Sequence, residues 1–286
     1  MRIAITGAAG MLGRDLITAV EAAGHEAIAF TRADLDITDA AAVERALRRA
    51  GPDVVFNCAA WTDVDGAEAH FEEALAVNGA GAGHVARAGA ACGAWTIHIS
   101  SDYVFDGSKR SPYLEGDPVE PLSAYGRSKL AGERAVALEA PDRHTIVRSS
   151  WLFGAGGHCF PATILRLARD RDELRVVDDQ VGCPTFTGDL ATALVALGAR
   201  ASRPVGILHV AGSGACSWYE FAREIVAGAE LRCEVRPCTT AEMPRPATRP
   251  AYSVLRSSRG NEAPVLPEWR VGLEQYMALI RVARAV

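Results

Sequence analysis

Lysine is almost missing. The 286 residues hold two, Lys109 and Lys129, against 28 arginines, so general demand for positive charge does not explain an ammonium at either place. No apolar run of 18 residues exists, which argues against a membrane-spanning helix. No basic-then-apolar leader precedes the first strand, since Met1-Arg2 opens directly onto it, and a cytoplasmic protein is expected. The seven cysteines (Cys58, Cys92, Cys159, Cys183, Cys216, Cys233, Cys238) are odd in number and scattered. They form no Cys-x-x-Cys and no His/Cys group at zinc spacing, which leaves them reduced, with Cys58 read as a small buried apolar residue. A net charge of −5 with interspersed signs leaves no basic face for nucleic acid and points to small-molecule partners. No acidic cluster compels a metal, and no internal repeat or low-complexity segment is found.

With 49% hydrophobic residues, the chain can bury a full core. It opens with a short apolar strand, Arg2 to Thr6, then Gly7-Ala8-Ala9-Gly10-Met11-Leu12-Gly13, then a helical pattern to Ala23 closed by Gly24. Strand, glycine loop and helix in that order are the dinucleotide-binding fingerprint in a G-x-x-G-x-x-G variant. Missing side chains let the backbone approach a pyrophosphate, and the helix N-terminus faces its charge. The alternative, a purely structural turn, is disfavoured by the flanking strand and helix. A second strand, near Glu26 to Phe30, leads into Thr31-Arg32, where a protein preferring NAD often carries an acid for the ribose 2′-hydroxyl. Arg32 instead of an acid leans towards NADPH, with NADH as the alternative if Arg32 is only a solvated cation. Asp36-Ile37 either borders the adenine or caps a helix from Ala40 to Ala50. The third strand, Asp53 to Cys58, opens into Ala59 and Ala60, small enough for close approach of the cofactor, then Trp61, Thr62 and Val64 at the crevice edge.

A helix from about Ala67 to Ala91 then leads to the β-branched run W-T-I-H-I and to Ser100-Ser101, where a buried strand leaves its sheet. In an open α/β sheet ligands bind at such ends. Tyr125 and Lys129 follow a helix start with Ser123 as cap, and a spacing of four puts both on one helical face. A nearby ammonium favours the phenolate and brings a phenol towards working range. A surface pair is the alternative. With two lysines and six tyrosines, chance gives this spacing only about 4 times in 100. An arginine, never neutral and bulkier, would substitute poorly there.

Thr145 to Arg148 makes the next strand, and the alternation predicts an α/β fold, a Rossmann-type doubly wound parallel sheet with a smaller C-terminal substrate-binding domain. Residues 1–150 are expected to form the dinucleotide-binding domain, with 182–210 returning to it through a helix near Thr187 to Leu197 and a strand Gly206 to Val210. Residues 151–181 and 211–286 are expected to form the smaller region, with helices near Ser217 to Ala229 and Leu273 to Ala283 and a Pro-rich stretch from Pro237 to Pro250.

With these segments in view, the chain resembles, nearly end to end, the dTDP-4-dehydrorhamnose reductase family of extended short-chain dehydrogenase/reductases. The likeness rests on T-G-A-A-G-M-L-G, N-C-A-A-W-T-D-V-D-G-A-E, S-S-D-Y-V-F-D-G, Y-G-R-S-K-L-A-G-E, R-S-S-W-L-F-G, D-D-Q-V-G-C-P-T and R-P-A-Y-S-V-L. It implies that Tyr125 protonates the sugar oxygen, that Lys129 holds the nicotinamide ribose and tunes Tyr125, and that Ser101 bonds the carbonyl. Asp102 and Trp151 would meet the sugar, and Gln180 and Arg249 belong to segments bordering the nucleotide-sugar crevice. The chain departs from the family where Ser101, Met11 and Gly66 replace its usual Thr, Gln and Lys.

The implied activity is reduction by NADPH or NADH of the C4 ketone of a dTDP-4-keto-6-deoxyhexose, yielding dTDP-L-rhamnose for the family's substrate. A homodimer is compatible with it. Related dehydratases carry a second acid after the aspartate, whereas Tyr103 stands here. Two alternatives are a 4-ketoreductase acting on another dTDP-deoxysugar and a non-catalytic subunit like the regulatory subunit of methionine adenosyltransferase. The intact Ser101, Tyr125 and Lys129 set favours an enzyme.

Overall fold

The computed structural model describes residues 1–285, with side-chain surroundings for 1–281. The chain runs β1 (Arg2–Thr6), α1 (Met11–Ala22), β2 (Glu26–Phe30), α2 (Ala40–Ala50), β3 (Val54–Asn57), α3 (Gly66–Ala69), α4 (Phe71–Leu75), a π turn (Ala76–Gly81) and α5 (Ala82–Ala91). Then come β4 (Trp95–Ser101), α6 (Ala124–Glu139), β5 (His144–Ser149), β6 (Leu152–Phe153), α7 (Phe160–Asp170), β7 (Glu173–Val177), β8 (Val181–Gly182), β9 (Thr185–Phe186) and α8 (Thr187–Gly198). The C-terminal part adds β10 (Gly206–His209), β11 (Cys216–Ser217), α9 (Trp218–Gly228), β12 (Glu234–Cys238) and α10 (Trp269–Ala285).

Six of these strands form one parallel sheet in the order β10-β5-β4-β3-β1-β2. The order reverses direction between β1 and β3, so the connections leave in opposite senses from that point and a crevice opens there. Period-two alternation explains why both faces are covered. Ile3, Ile5, Val54 and Phe56 join α1 and α8 on one side, while Ala4 and Val55 join α2 and α5 on the other. Each such fully buried branched or aromatic side chain stabilises the fold by about 1.5–3 kcal/mol. A separate apolar cluster in the C-terminal region gathers Phe153, Phe186, Phe221 and Trp269 from β6, β9, α9 and α10.

Two local expectations are corrected. The helix expected from Ala67 to Ala91 is broken at His70 (φ −127°, ψ 48°) and widened into the π turn. There Asn78 turns its side chain away to hold the backbone N–H and carbonyl of Trp61, at 2.8 and 3.1 Å. The cap of α2 is Asp39, whose carboxylate accepts from the Ala42 N–H at 2.9 Å, rather than Asp36, which closes a turn on Thr38.

Candidate active site

The C-terminal ends of four adjacent strands meet in one cleft of about 510 Å³. β1 contributes the glycine loop, β3 contributes Cys58 and Ala60, β4 contributes Ser100 and Ser101, and β5 contributes Ser149 and Ser150. Gly7, Gly10, Met11, Leu12 and Gly13 all face this space. Gly7 has φ +67°, and a Cβ on it would lie 2.7 Å from the Ala59 amide nitrogen. A Cβ on Gly13 would lie 2.4 Å from the Gly7 carbonyl. No side chain caps α1 at Gly10, which leaves helix N–H groups for an outside acceptor.

Tyr125 sits in the first turn of α6, set by Ser123, whose hydroxyl accepts the Gly126 N–H at 3.1 Å. Its phenol lies beside the Ser101 hydroxyl; burial pushes it up to about 12, and Ser101 acts in the opposite direction. Ser101 in turn donates to Asp102 Oδ1 at 3.0 Å and accepts the Tyr103 N–H at 3.2 Å. Asp102 is 1% exposed, and burial raises its carboxyl to about 6 against the hydroxyls of Ser253 and Ser101. One turn after Tyr125, Lys129 is buried and donates from Nζ to the Ile99 carbonyl at 2.7 Å. Desolvation brings this ammonium down to about 8, with Glu133 acting the other way. The expected lowering of the phenol by Lys129 is therefore corrected for the chain alone. Burial dominates and outweighs the lowering by the Ser101 hydroxyl.

Behind Lys129 lies a buried ion pair. Arg148 on β5 reaches Glu133 on α6 at 2.7 Å, and the Ser100 hydroxyl donates to the same carboxylate at 2.6 Å. The pair ties the helix that carries Tyr125 and Lys129 to the strands that carry the serines.

Thr62, Val64 and Trp151 line the cleft with Ser101, Asp102, Tyr125 and Lys129. Trp151 has a left-handed backbone (φ 47°), which costs a non-glycine residue on the order of 1–3 kcal/mol. Gln180 and Arg249 are not on the cleft wall. Gln180 donates to the Thr240 hydroxyl at 2.9 Å, and Arg249 grips Asp65 at 3.0 and 3.1 Å, because the loop after β12 folds back over both. Burial would raise the Asp65 carboxyl, but hydrogen bonds from Arg249, Arg245 and the Ala247 N–H outweigh it and hold it far below the usual range. The Arg249 guanidinium also lies beside the Tyr103 hydroxyl, and Tyr103 meets Tyr125 edge-on at 5.6 Å and 80°.

The residues assigned to the far end of a dinucleotide lie away from this wall. Thr31 is tied to Asp34 through its N–H (3.0 Å) and hydroxyl (2.6 Å), and Arg32 and Asp36 are exposed. They remain beside the glycine loop, because the Ala8 N–H bonds the Phe30 carbonyl at 3.1 Å. Ile37 is 4% exposed and packs in the core, while Ala59 and Trp61 form the loop edge beneath Gly7 and Asn78.

Several cleft residues escaped the sequence reading. Trp218 and His158 line it, and the Ser253 hydroxyl lies beside Asp102. Trp218 carried a signal, an aromatic directly after the helix cap Ser217. Asn78 carried one too, an amide inside the glycine-rich A-V-N-G-A-G. Ser253 had none.

The strand order, the glycine loop and the Ser101, Tyr125, Lys129 group together define a class, the extended short-chain dehydrogenase/reductases. Within it, the chain belongs to the family described as the RmlD substrate binding domain, whose model matches residues 1–282. It is 48% identical to the dTDP-4-dehydrorhamnose reductase of Streptomyces griseus over 96% of this chain and 93% of that one. It is 41% identical to the dTDP-4-keto-6-deoxy-D-glucose reductase of Streptomyces niveus over 96% of each. Among solved structures, the Bacillus anthracis dTDP-4-dehydrorhamnose reductase in complex with NADP superposes with a TM-score of 0.93 at 37% identity, covering 97% of this chain and 99% of that one.

Proposed function

We infer that this chain uses NADPH to reduce the C4 ketone of a dTDP-linked 4-keto-6-deoxyhexose, with dTDP-4-dehydro-L-rhamnose as substrate and dTDP-L-rhamnose as product. The observation that carries the reading is the convergence of Ser101, Tyr125 and Lys129 at one end of a crevice floored by the glycine loop. A dinucleotide fits that floor, since Gly7 and Gly13 let the loop pack backbone against backbone, where a Cβ would strike Ala59 or the Gly7 carbonyl, and no side chain caps the first N–H groups of α1. Gly7, Gly10 to Gly13 and Ala60 would hold it, with Lys129 on the nicotinamide ribose and Arg32 on a 2′-phosphate. When bound, NADPH supplies the hydride.

The chain's own part is proton handling and orientation. A phenol raised to about 12 keeps its proton near neutrality and releases it only to a stronger base, and the alkoxide developing at C4 is one. The phenolate left behind faces the buried charge of Lys129, whose place is fixed by the Ile99 carbonyl. Thr62, Val64 and Trp151 would bound the sugar. Tyr103 stands where a dehydratase would carry a second acid for water elimination. All three catalytic groups come from one chain, so a homodimer is compatible with this chemistry but not required by it.

The 41% identity to a dTDP-4-keto-6-deoxy-D-glucose reductase favours one second reading, the same reduction on another dTDP-deoxysugar. The test is to mix purified protein with dTDP-4-keto-6-deoxyhexoses, follow NADPH oxidation by absorbance and identify the product by NMR. Protein that binds NADPH yet reduces none of these sugars would sink both readings.

A further inference from the structure

Two tryptophans from distant parts of the chain line the cleft that holds the catalytic groups. Trp151 follows β5, and Trp218 opens α9 in the C-terminal region; their rings stack at 3.4 Å and 5°. Both rings line the cleft that holds Tyr125, and both are half-buried.

The stack is held from several directions. Ser217 and Glu220 close a capping box that fixes the first turn of α9, and Phe160 packs against Trp218 at 4.5 Å. On the other side, Gly182 is pressed against Trp151, so that a Cβ there would lie 2.4 Å from Cε2. Gly182 pairs with Cys216 across the β8–β11 ladder, two residues before Trp218. One short ladder therefore sets both rings. Trp151 also has a left-handed backbone, a conformation that persists only where surrounding contacts over-determine it, and the stack is such a contact.

We propose that Trp218 is a specificity-determining positioning residue: it fixes the plane of Trp151 so that the apolar side of the keto sugar, including its 6-deoxy carbon, meets a rigid indole wall. The proposal rests on the reading of the cleft as a keto-sugar site. A rigid apolar wall favours a methyl over a hydroxymethyl, which would present a hydroxyl to carbon with no partner. Such discrimination is modest, up to about 10²-fold. It also requires that the wall not give way, because a ring free to tilt would admit the larger group.

The test compares wild type, Trp218→Ala, Trp218→Phe and Gly182→Ala on a dTDP-4-keto-6-deoxyhexose and on the corresponding 6-hydroxy sugar, with NADPH affinity measured separately. Trp218→Ala should raise KM for the 6-deoxy sugar about tenfold and cut the preference over the 6-hydroxy sugar by a similar factor. NADPH affinity should stay within about twofold, and Trp218→Phe, which can still stack, should recover most of the loss. Gly182→Ala pushes Trp151 off its seat while leaving the Trp218 side chain in place, and should copy Trp218→Ala even if that variant folds poorly. The proposal is overturned if the wild type is active but either disrupting variant that binds NADPH keeps both the KM and the sugar preference. A wild type that reduces no keto sugar would instead overturn the functional reading beneath it.

Discussion

Ser101 gives its only hydroxyl proton to Asp102, across 3.0 Å, while accepting from the Tyr103 N–H. As long as Asp102 is charged, Ser101 has no proton left for a ketone. Burial raises the Asp102 carboxyl from 3.8 to about 6, so the folded protein binds that proton more tightly than the unfolded chain. The stability this brings is fully present below the unfolded value and is lost as pH rises through about 6, roughly 3 kcal/mol in all. Asp102→Asn should therefore stabilise the protein by up to about 3 kcal/mol near pH 8 and by little near pH 4. It should also remove any rise in turnover of the wild type as pH falls through about 6. Urea unfolding at the two pH values checks the first half; equal effects at both would show that the carboxyl carries no such strain.

Tyr125 and Lys129 should separate on substitution. Tyr125→Phe removes the proton donor and should lower kcat by about 10²- to 10⁴-fold, with NADPH affinity nearly unchanged. Lys129→Met should weaken both, since the same ammonium is assigned to the phenol and the ribose. Fluorescence titration with NADPH beside steady-state rates decides it, and a phenylalanine variant keeping more than about a tenth of kcat would remove Tyr125 from the mechanism.

What could be read in advance follows the range over which each feature is encoded. The glycine loop and the Tyr125–Lys129 pair are local, written in spacings of three and four, so both their elements and their shared crevice were legible. The sheet was legible because β1, β3, β4 and β5 are short apolar runs between helical patterns. Asp65 and Arg249 lie 184 positions apart, and nothing in either neighbourhood names the other. The same holds for Trp151 with Trp218 and Asp102 with Ser253, which depend on how the C-terminal loops fold back. The π turn was hidden because Asn78 leaves the helical ladder for a tertiary partner, the Trp61 backbone, and propensity does not carry that information.

Arg249, expected at the edge of the nucleotide-sugar crevice, is paired with Asp65 and lies beside Tyr103. Both partners of the ion pair are largely shielded, with side chains 15% and 19% exposed, and the geometry is two-pronged. A double-mutant cycle of Asp65→Asn and Arg249→Ala should give a coupling energy of about 1–2 kcal/mol in stability, above the usual value for exposed pairs. Arg249→Ala should also lower kcat/KM, because Tyr103, which meets Tyr125 edge-on, then loses the guanidinium beside its hydroxyl. Additive effects in the cycle would show that the two side chains are neighbours without being coupled.

Arg32 tests the cofactor assignment. It is exposed at the end of β2, next to the glycine loop that the Ala8 to Phe30 hydrogen bond anchors, where the adenine ribose of a dinucleotide would lie. A guanidinium there can take two oxygens of a 2′-phosphate, a group NADH does not have. Because the site is open to water, the gain is limited to about 1–2 kcal/mol, so Arg32→Ala should raise KM for NADPH about tenfold. KM for NADH should change by less than about twofold, since no phosphate is lost from its complex. Salt provides an independent check: an exposed ion pair is screened over about 10 Å at 0.1 M ionic strength, so added salt should weaken NADPH binding in the wild type and much less in Arg32→Ala. If the substitution moved both cofactors equally, Arg32 would be a solvated surface cation and the preference for NADPH would have to come from another residue.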